Sequence, residues 1–553
     1  MDKRFASAIF VVAVLVMAFV LIAGCTSPTP APTKSFTLVE MTISDPPSLD
    51  PGLEYDTACY SNTQNVYETL VWYEGPDVSK PIGLLATSWE HNADFTVWTF
   101  KLRPNVTFHD GSAFNASSVK YTFDRGVLMN YPDGPWVGAG ISGLLKGGDD
   151  WMNSNNTEAD AQAYLANEAV KVIDDLTVQF TLSRSYPDWY HVCAFPATAI
   201  VSQVFEQSNM PYKYNNWTDT YLKEHMSGTG PFKFVSWAHE DNIQFVRNEN
   251  YWKTPAKAER VVVRTVPDVN SRVLAFDKGE CDISQENLRN LPVFRNSTGA
   301  DFKIYNDTLI ISFIGMYQGN APFDNVKVRQ AFVESFDYET YRTQVGYGYG
   351  AFMHGVVPRG LAGFNENIPV LTYNPEHAKQ LLQEAGFNKS NPQTIVISFN
   401  QGNTGRQTGC LMLKDTVEKY DLGITLDIQE LTWATLLDKQ KKGELDMFFL
   451  GWQADFPTTD NFIGPVLISD VYFAKQVKYK NATIDDLYYN QYFTAKSDAE
   501  RKQISDQIQM GYLADYPYIV YLQPAAGYAV SKNIKGYQWN VMQSGFMWYD
   551  LYK

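Results

Sequence analysis

A chain of 553 residues exceeds what one hydrophobic core usually serves, so two or three lobes are expected. Its net charge of -16 excludes the basic footprint that a nucleic-acid partner requires. Aromatic residues make up 14% of it, and such side chains bury large areas and line pockets.

The first segment is not expected to join the fold. Lys3 and Arg4 precede an apolar run over residues 5–23, closed by Gly24 and Cys25. A basic start, a hydrophobic core and a small-residue cleavage site predict a signal peptide over residues 1–24. Cys25, directly after that site, resembles the lipobox cysteine of lipoproteins, which is lipidated and becomes the first residue of the mature chain. An uncleaved membrane anchor is the alternative, since the run is just long enough to span. Either arrangement tethers the body outside the cytoplasm, on the outer face of the cell membrane. Residues 25–35 carry the Pro/Thr/Ser sequence TSPTPAPTKS, which forms an extended, semi-rigid spacer. An oxidising exterior permits Cys59, Cys193, Cys281 and Cys410 to pair, but no CxxC spacing suggests metal or redox chemistry. Asn105, Asn216, Asn306 and Asn481 head Asn-x-Ser/Thr triplets open to glycosylation on an exported chain.

An imperfect alternation of Phe36, Leu38, Met41 and Ile43 predicts a strand, ended by Asp45, Pro46 and Pro47. Residues 97–102 alternate, His109, Asp110 and Gly111 turn the chain, and Asn115 caps a helix with Val119, Phe123 and Val127 on one face. Residues 172–182 read as a hairpin around Asp174 and Asp175. Residues 268–279 read as an amphipathic helix with Val269, Val273 and Phe276 inward. Asn374, Pro375 and Gly386 bracket another helix with a cap, a first-turn proline and a glycine stop. Strand and helix then alternate over residues 394–399, 410–420, 424–428, 432–441 and 447–450, the βαβ order of a parallel sheet. Residues 497–514 read as a last helix, and 518–522 as a strand returning toward the first lobe.

Residues 445–462, LDMFFLGWQADFPTTDNF, change character within a few positions. Met447, Phe448, Phe449 and Leu450, flanked by Gly443 and Gly451, predict a strand buried on both faces. Ligands of open α/β sheets bind just beyond the carboxyl ends of the strands, where Gly451, Trp452, Gln453 and Asp455 stand. A carboxylate among Trp452, Phe456 and Trp433 is costly to bury without a counter-charge, and a ligand can bring one. The alternative is a loop aspartate that makes a turn or caps the segment at Thr458.

Several blocks occur in a telling order: Ser88, Trp89 and Glu90; TFKLR at 99–103; Phe108 to Gly111; the helix at 119–125; GTGPF at 228–232; Asn248 with Tyr251 and Trp252; and FDNVKVRQA at 323–331. Together they resemble the extracellular solute-binding proteins of peptide ABC transporters, the oligopeptide- and dipeptide-binding proteins, over essentially the whole mature chain. The resemblance implies an α/β, two-lobe periplasmic-binding-protein-like fold with a hinge and an extra domain inserted in the first lobe. Residues 36–71, 191–302 and 523–553 would form the first lobe, 72–190 the insert and 303–522 the second lobe.

In this family a tryptophan followed three residues later by an aspartate supplies the acid that pairs with a peptide's terminal ammonium. Trp452 and Asp455 match that spacing, and Trp433 matches a pocket-wall tryptophan. Gln440 and Gln453 stand where a basic residue would be needed to hold the peptide's carboxylate; Arg406, in the Gly-rich loop FNQGNTGRQ, reads as an exposed arginine without a partner, with a substitute for that basic residue as the alternative. The function implied is a membrane-anchored receptor that captures short peptides by lobe closure and delivers them to ABC permease subunits, as a monomer and without cofactor or metal. The alternatives are the same fold carrying a nickel chelate, haem, an opine or a sugar, or an extracellular hydrolase. No HExxH pair, Gly-x-Ser-x-Gly elbow or phosphate-loop motif occurs, so catalysis is not expected. Glycines 346, 348 and 350 read as a flexible loop near the hinge or pocket.

Overall fold

A computed structural model describes residues 36–553 apart from 76, 80, 211–219, 388, 389 and 391. The signal segment, Cys25, the linker and Asn216 lie outside the described residues. Among the described residues no helix is long and apolar enough to cross a membrane.

Three larger sheets organise the chain. The first has seven strands in the order Ala300–Tyr305, Ala526–Ser531, Ile283–Glu286, Thr37–Thr42, Arg260–Thr265, Asn242–Arg247, Phe232–Ala238. The second has five, Ile424–Leu431, Gln393–Asn400, Met447–Gln453, Ile310–Met316 and Tyr518–Leu522. The third has four, Ala86–His91, Val97–Leu102, Thr177–Thr181 and Val170–Asp174. The chain passes from the first sheet to the second between Tyr305 and Ile310, and back between Leu522 and Ala526. Gln523 fastens this crossing: its Nε2 donates to the carbonyls of Thr308 (2.6 Å) and Arg359 (3.1 Å), and its Oε1 accepts from the Arg359 amide (2.9 Å).

The five-stranded sheet is mixed, not parallel throughout. Gln393–Asn400 pairs parallel with both its neighbours, as the alternating pattern implies. Ile310–Met316 pairs antiparallel with Met447–Gln453 and with Tyr518–Leu522. Neither added strand follows a βα unit of that run: one enters from the first sheet and the other follows the helix Asp498–Asp515. Tyr518–Leu522 therefore closes the second sheet, and the next strand joins the first. Met447–Gln453 sits in the middle, which is why Met447, Phe448, Phe449 and Leu450 are all buried.

The helix Ala116–Met129 begins where expected, with the Asn115 side chain accepting from the amides of Ser117 and Ser118. Val119, Phe123 and Val127 are fully buried against the four-stranded sheet. Its Arg125 is buried between Asp50 and Glu206, with Nε 2.8 Å from Glu206 Oε2. The helix Val269–Lys278 forms with Phe276 buried and Val269 and Val273 half-buried against the same cluster, and its inward side also carries Arg272, which is fully buried. A forked pair of bonds to Glu286 at 2.6 and 2.7 Å satisfies that guanidinium. Cys59, Cys193, Cys281 and Cys410 are buried and unpaired. Asn481 is held by its own helix start and by Asp515, at 2.6 Å, so its amide nitrogen is engaged.

Candidate functional site

A cavity of about 390 Å³ is lined from both the seven-stranded and the five-stranded sheets. That is the small end of the range for ligand sites. Trp433, Gly451, Trp452, Gln453 and Asp455 all line it. The strand Met447–Gln453 delivers Gly451, Trp452 and Gln453 at its carboxyl end, and Asp455 follows two residues beyond it. Trp452 is fixed by its Nε1, which donates to the Asn461 carbonyl at 2.7 Å. Gly451 leaves room: a Cβ there would come 2.9 Å from the Ile311 carbonyl oxygen and 3.9 Å from Arg406 Nη2. Trp433 opens the helix Trp433–Lys442, which Thr432 caps by accepting from the Thr435 amide.

Asp455 is 6% exposed, and its Oδ2 accepts from Tyr55 Oη and from Asn461 Nδ2 (2.9 Å). Asn461 Oδ1 accepts in turn from the Asp455 amide at 2.8 Å, which locks the pair. Both bonds to the carboxylate come from neutral groups and go to one oxygen. Among the described residues no lysine or arginine pairs with it, and Oδ1 receives no hydrogen bond. Burial pushes the carboxyl up to about 7, against the pull of the Tyr55 and Asn461 bonds. The turn-cap alternative does not describe this residue, since the following helix, Asp460–Leu467, has no side-chain cap.

Contacts across the cavity join the segments of the two sheets. Trp433 Nε1 donates to Asp56 Oδ1 at 3.2 Å, Gln453 Nε2 to the Gln543 carbonyl at 3.0 Å, and the Tyr55 ring meets Trp452 edge-on at 5.1 Å.

Arg406 departs from its reading as an exposed loop residue. Asn403 accepts from its amide and starts the helix Thr404–Lys419 just after the strand Gln393–Asn400, so Arg406 lies in the first helical turn. It is half-buried, lines the cavity, and gives Nη1 to Asn400 Oδ1 at 2.8 Å. Its guanidinium lies 5.8 Å from the Trp433 ring centre. Among the described residues it makes no salt bridge, and burial lowers its pKa. The capping asparagine after a buried strand was the sequence signal for this placement. Gln440, by contrast, faces away from the cavity and bonds Gln476. Tyr55, Asp56 and Glu40 also line the cavity, and no local pattern marks them. Among the described residues no cluster of three or more His, Cys, Asp or Glu side chains is placed to hold a metal ion.

Residues 80–473 match the model of the bacterial extracellular solute-binding proteins, family 5 Middle. The chain is 27% identical over 515 residues to heme-binding protein A of Haemophilus influenzae, covering 91% of this chain and 89% of the relative. It is 25% identical over 516 residues to the probable D,D-dipeptide-binding periplasmic protein DdpA of Escherichia coli K12, covering 90% of each. Among solved structures it superposes on the periplasmic binding protein DppA of Helicobacter pylori in complex with the peptide STSA. The TM-score is 0.80 at 25% identity, over 94% of this chain and 98% of that one. Oligopeptide-binding AppA of Bacillus subtilis, solved with a nonapeptide, shares the fold with a TM-score of 0.80 at 21% identity, over 94% of this chain and 99% of that one. The fold is thus the two-lobe α/β architecture of periplasmic binding proteins, and the chain belongs to the family 5 extracellular solute-binding proteins of peptide ABC transporters.

Proposed function

We propose that the protein is an extracytoplasmic receptor that captures short peptides in this cleft and delivers them to the permease of an ABC transporter, tethered to the membrane through Cys25. The observation that carries this reading is one cavity lined by an anion, Asp455, and a cation, Arg406, that have no ion pair among the described residues. A free peptide brings an ammonium at one end and a carboxylate at the other. Asp455 Oδ1 takes the first through a charge-assisted hydrogen bond, and Arg406 takes the second. Relatives named for dipeptides and a neighbour solved with STSA support the same cargo class.

In this reading the first lobe is residues 36–71, 191–302 and 523–553, the second is 303–522, and 72–190 is an insert. The Tyr55–Asp455, Trp433–Asp56 and Gln453–Gln543 bonds then belong to the closed form. A ligand that touches both lobes favours that form through contacts that the open form lacks. The receptor acts as a monomer and performs no chemistry on its cargo.

Titration calorimetry with a small set of di- and tripeptides tests the reading. Free peptides are expected to bind, and N-acetylation, which removes the ammonium, to weaken binding by about a hundredfold. Equal affinity for free and acetylated peptides refutes the anchor. The relative named for haem supplies a second reading. Haem brings carboxylates that suit Arg406 but no ammonium for Asp455. A haem titration without a change in visible absorption removes it.

A further inference from the structure

Among the further carboxylates that line the cavity, one is unpaired and is not used by the ends of a peptide. Glu40 lies on the strand Thr37–Thr42, in the middle of the seven-stranded sheet, where its side chain is 2% exposed and lines the same cavity as Asp455. Among the described residues its one side-chain hydrogen bond comes from Trp548 Nε1, at 2.7 Å to Oε2. Oε1 receives none, and no lysine or arginine pairs with the group. An acid buried this way is costly unless something positive reaches it. Burial accordingly pushes its carboxyl up to about 8, with the Trp548 bond pulling the other way.

The residues beside Oε1 on the cavity wall are small. Gly545, Ser61 and Ser544 line the cavity there. A Cβ on Gly545 would stand 3.7 Å from Glu40 Oε1 and 2.9 Å from the Ser61 Cβ, so a side chain at 545 would fill the approach. Nothing in the fold needs an anion at this position: the strand pairs through its backbone, and its neighbours Trp548 and Tyr528 are neutral. An unpaired carboxylate on the cavity wall, set behind small residues, selects a long side chain with a positive tip.

We propose that Glu40, reached past Gly545 and Ser61, is a subsite for a cationic side chain of the bound peptide, the ammonium of lysine or the guanidinium of arginine. This deepens the peptide-receptor reading and rests on it. The aliphatic stem of such a side chain occupies the approach, and its tip bonds Oε1 while Trp548 holds Oε2. The receptor thereby prefers basic peptides, with Asp455 holding the terminal ammonium and Glu40 the side chain.

Calorimetry on the mature chain with Lys-Ala-Ala, Ala-Lys-Ala, Ala-Ala-Lys and their norleucine counterparts tests the subsite. At one of the three positions lysine is expected to bind about tenfold or more tightly than norleucine, the worth of one charged hydrogen bond. Glu40→Gln keeps the shape and an acceptor for Trp548 but removes the charge, and is expected to bring that ratio to near one. Ser61→Leu keeps Glu40 and obstructs the approach, and is expected to do the same. If all six peptides bind and no position prefers lysine, the subsite is overturned while the peptide reading stands. If Glu40→Gln weakens the lysine and norleucine peptides equally, Glu40 is structural and the subsite is overturned. If none of the six binds, the peptide reading falls and the subsite with it.

Discussion

Tyr55 donates its hydroxyl to the carboxylate of Asp455 across 400 residues of sequence. The bond spans the cleft and joins a residue that follows the first strand of one sheet to a residue at the end of the central strand of the other. Asp455→Asn removes the anion but keeps the size of the side chain, and is expected to weaken peptide binding by about a hundredfold while the protein stays folded. Tyr55→Phe removes one stabilising donor from the ionised carboxylate, and is expected to cost less, about three- to tenfold near neutral pH. Calorimetry on both variants checks the order.

Binding is expected to release a proton. The groups around Asp455, namely Tyr55, Tyr60 and Asn461, are neutral, and burial holds its carboxyl near 7. An ammonium in contact favours the ionised form and lowers that pKa. Near pH 6 most of the free protein carries the proton, so capture expels nearly one, and near pH 8 it expels little. Apparent affinity therefore rises with pH, by up to about tenfold per unit below 7. Calorimetry in buffers of different ionisation heat measures the release, and Asp455→Asn should abolish it.

The unliganded protein is expected to show the opposite trend in stability. Asp455 and Glu40 have folded-state values raised to about 7 and about 8, so the native state holds their protons more tightly than the unfolded chain does. Their contribution to stability is present at low pH and declines as pH rises through those values. His109 and His191, buried and lowered to about 4, act in the other direction, but only below the ordinary histidine value near 6.5. Above about pH 6.5 the histidines no longer contribute, and the slope belongs to buried acids. These are Asp455 and Glu40, together with Glu68, Glu206 and Asp460, which burial also raises, and the tail of Asp56, Asp124 and Asp188, raised to about 6. The unfolding temperature should fall by several degrees from about pH 6.5 to about 8.5, and Glu40→Gln and Asp455→Asn should each flatten the slope.

Arg406→Gln is expected to lower affinity about tenfold or more for peptides with a free carboxyl end, and far less for the same peptides amidated. The comparison of the two ligand series reads the lost charge directly. A uniform loss in both series assigns Arg406 to packing against Trp433.

Arg125→Met should destabilise the protein by about 3–5 kcal/mol, because it leaves Asp50 and Glu206 buried without their partner. Denaturant unfolding measures this. The arginine lies on the helix that covers the four-stranded sheet, so the loss is one of folding, and ligand affinity in the surviving fraction is a separate readout.

Local sequence rules reached the elements whose signals are local. The cap at Asn115, the cap and stop around the helix Pro375–Glu384, and the apolar run at Met447 are each visible within a dozen residues, and each element forms there. The five residues expected near the ligand line one cavity because three of them share a strand end, Asp455 follows it by two residues and Trp433 opens the helix just before it. Long-range partners were not legible. Glu40 breaks the alternation of its strand, and only the neighbouring Trp548, far along the chain, shows what receives it. Arg272 stands on the inward face of a helix for the same reason, since Glu286 lies on another element. Arg406 reads as a loop residue from the glycines around it, whereas Asn403 starts a helix there and sets it on the cavity wall.

The strand Ala526–Ser531 lies between Ile283–Glu286 and Ala300–Tyr305, both of which are synthesised long before it. A polypeptide that emerges from its amino end displays those two strands with an unpaired edge each until the final segment arrives. The sheet that carries Glu40 is therefore completed last, by the arrival of the final segment between two strands made long before it.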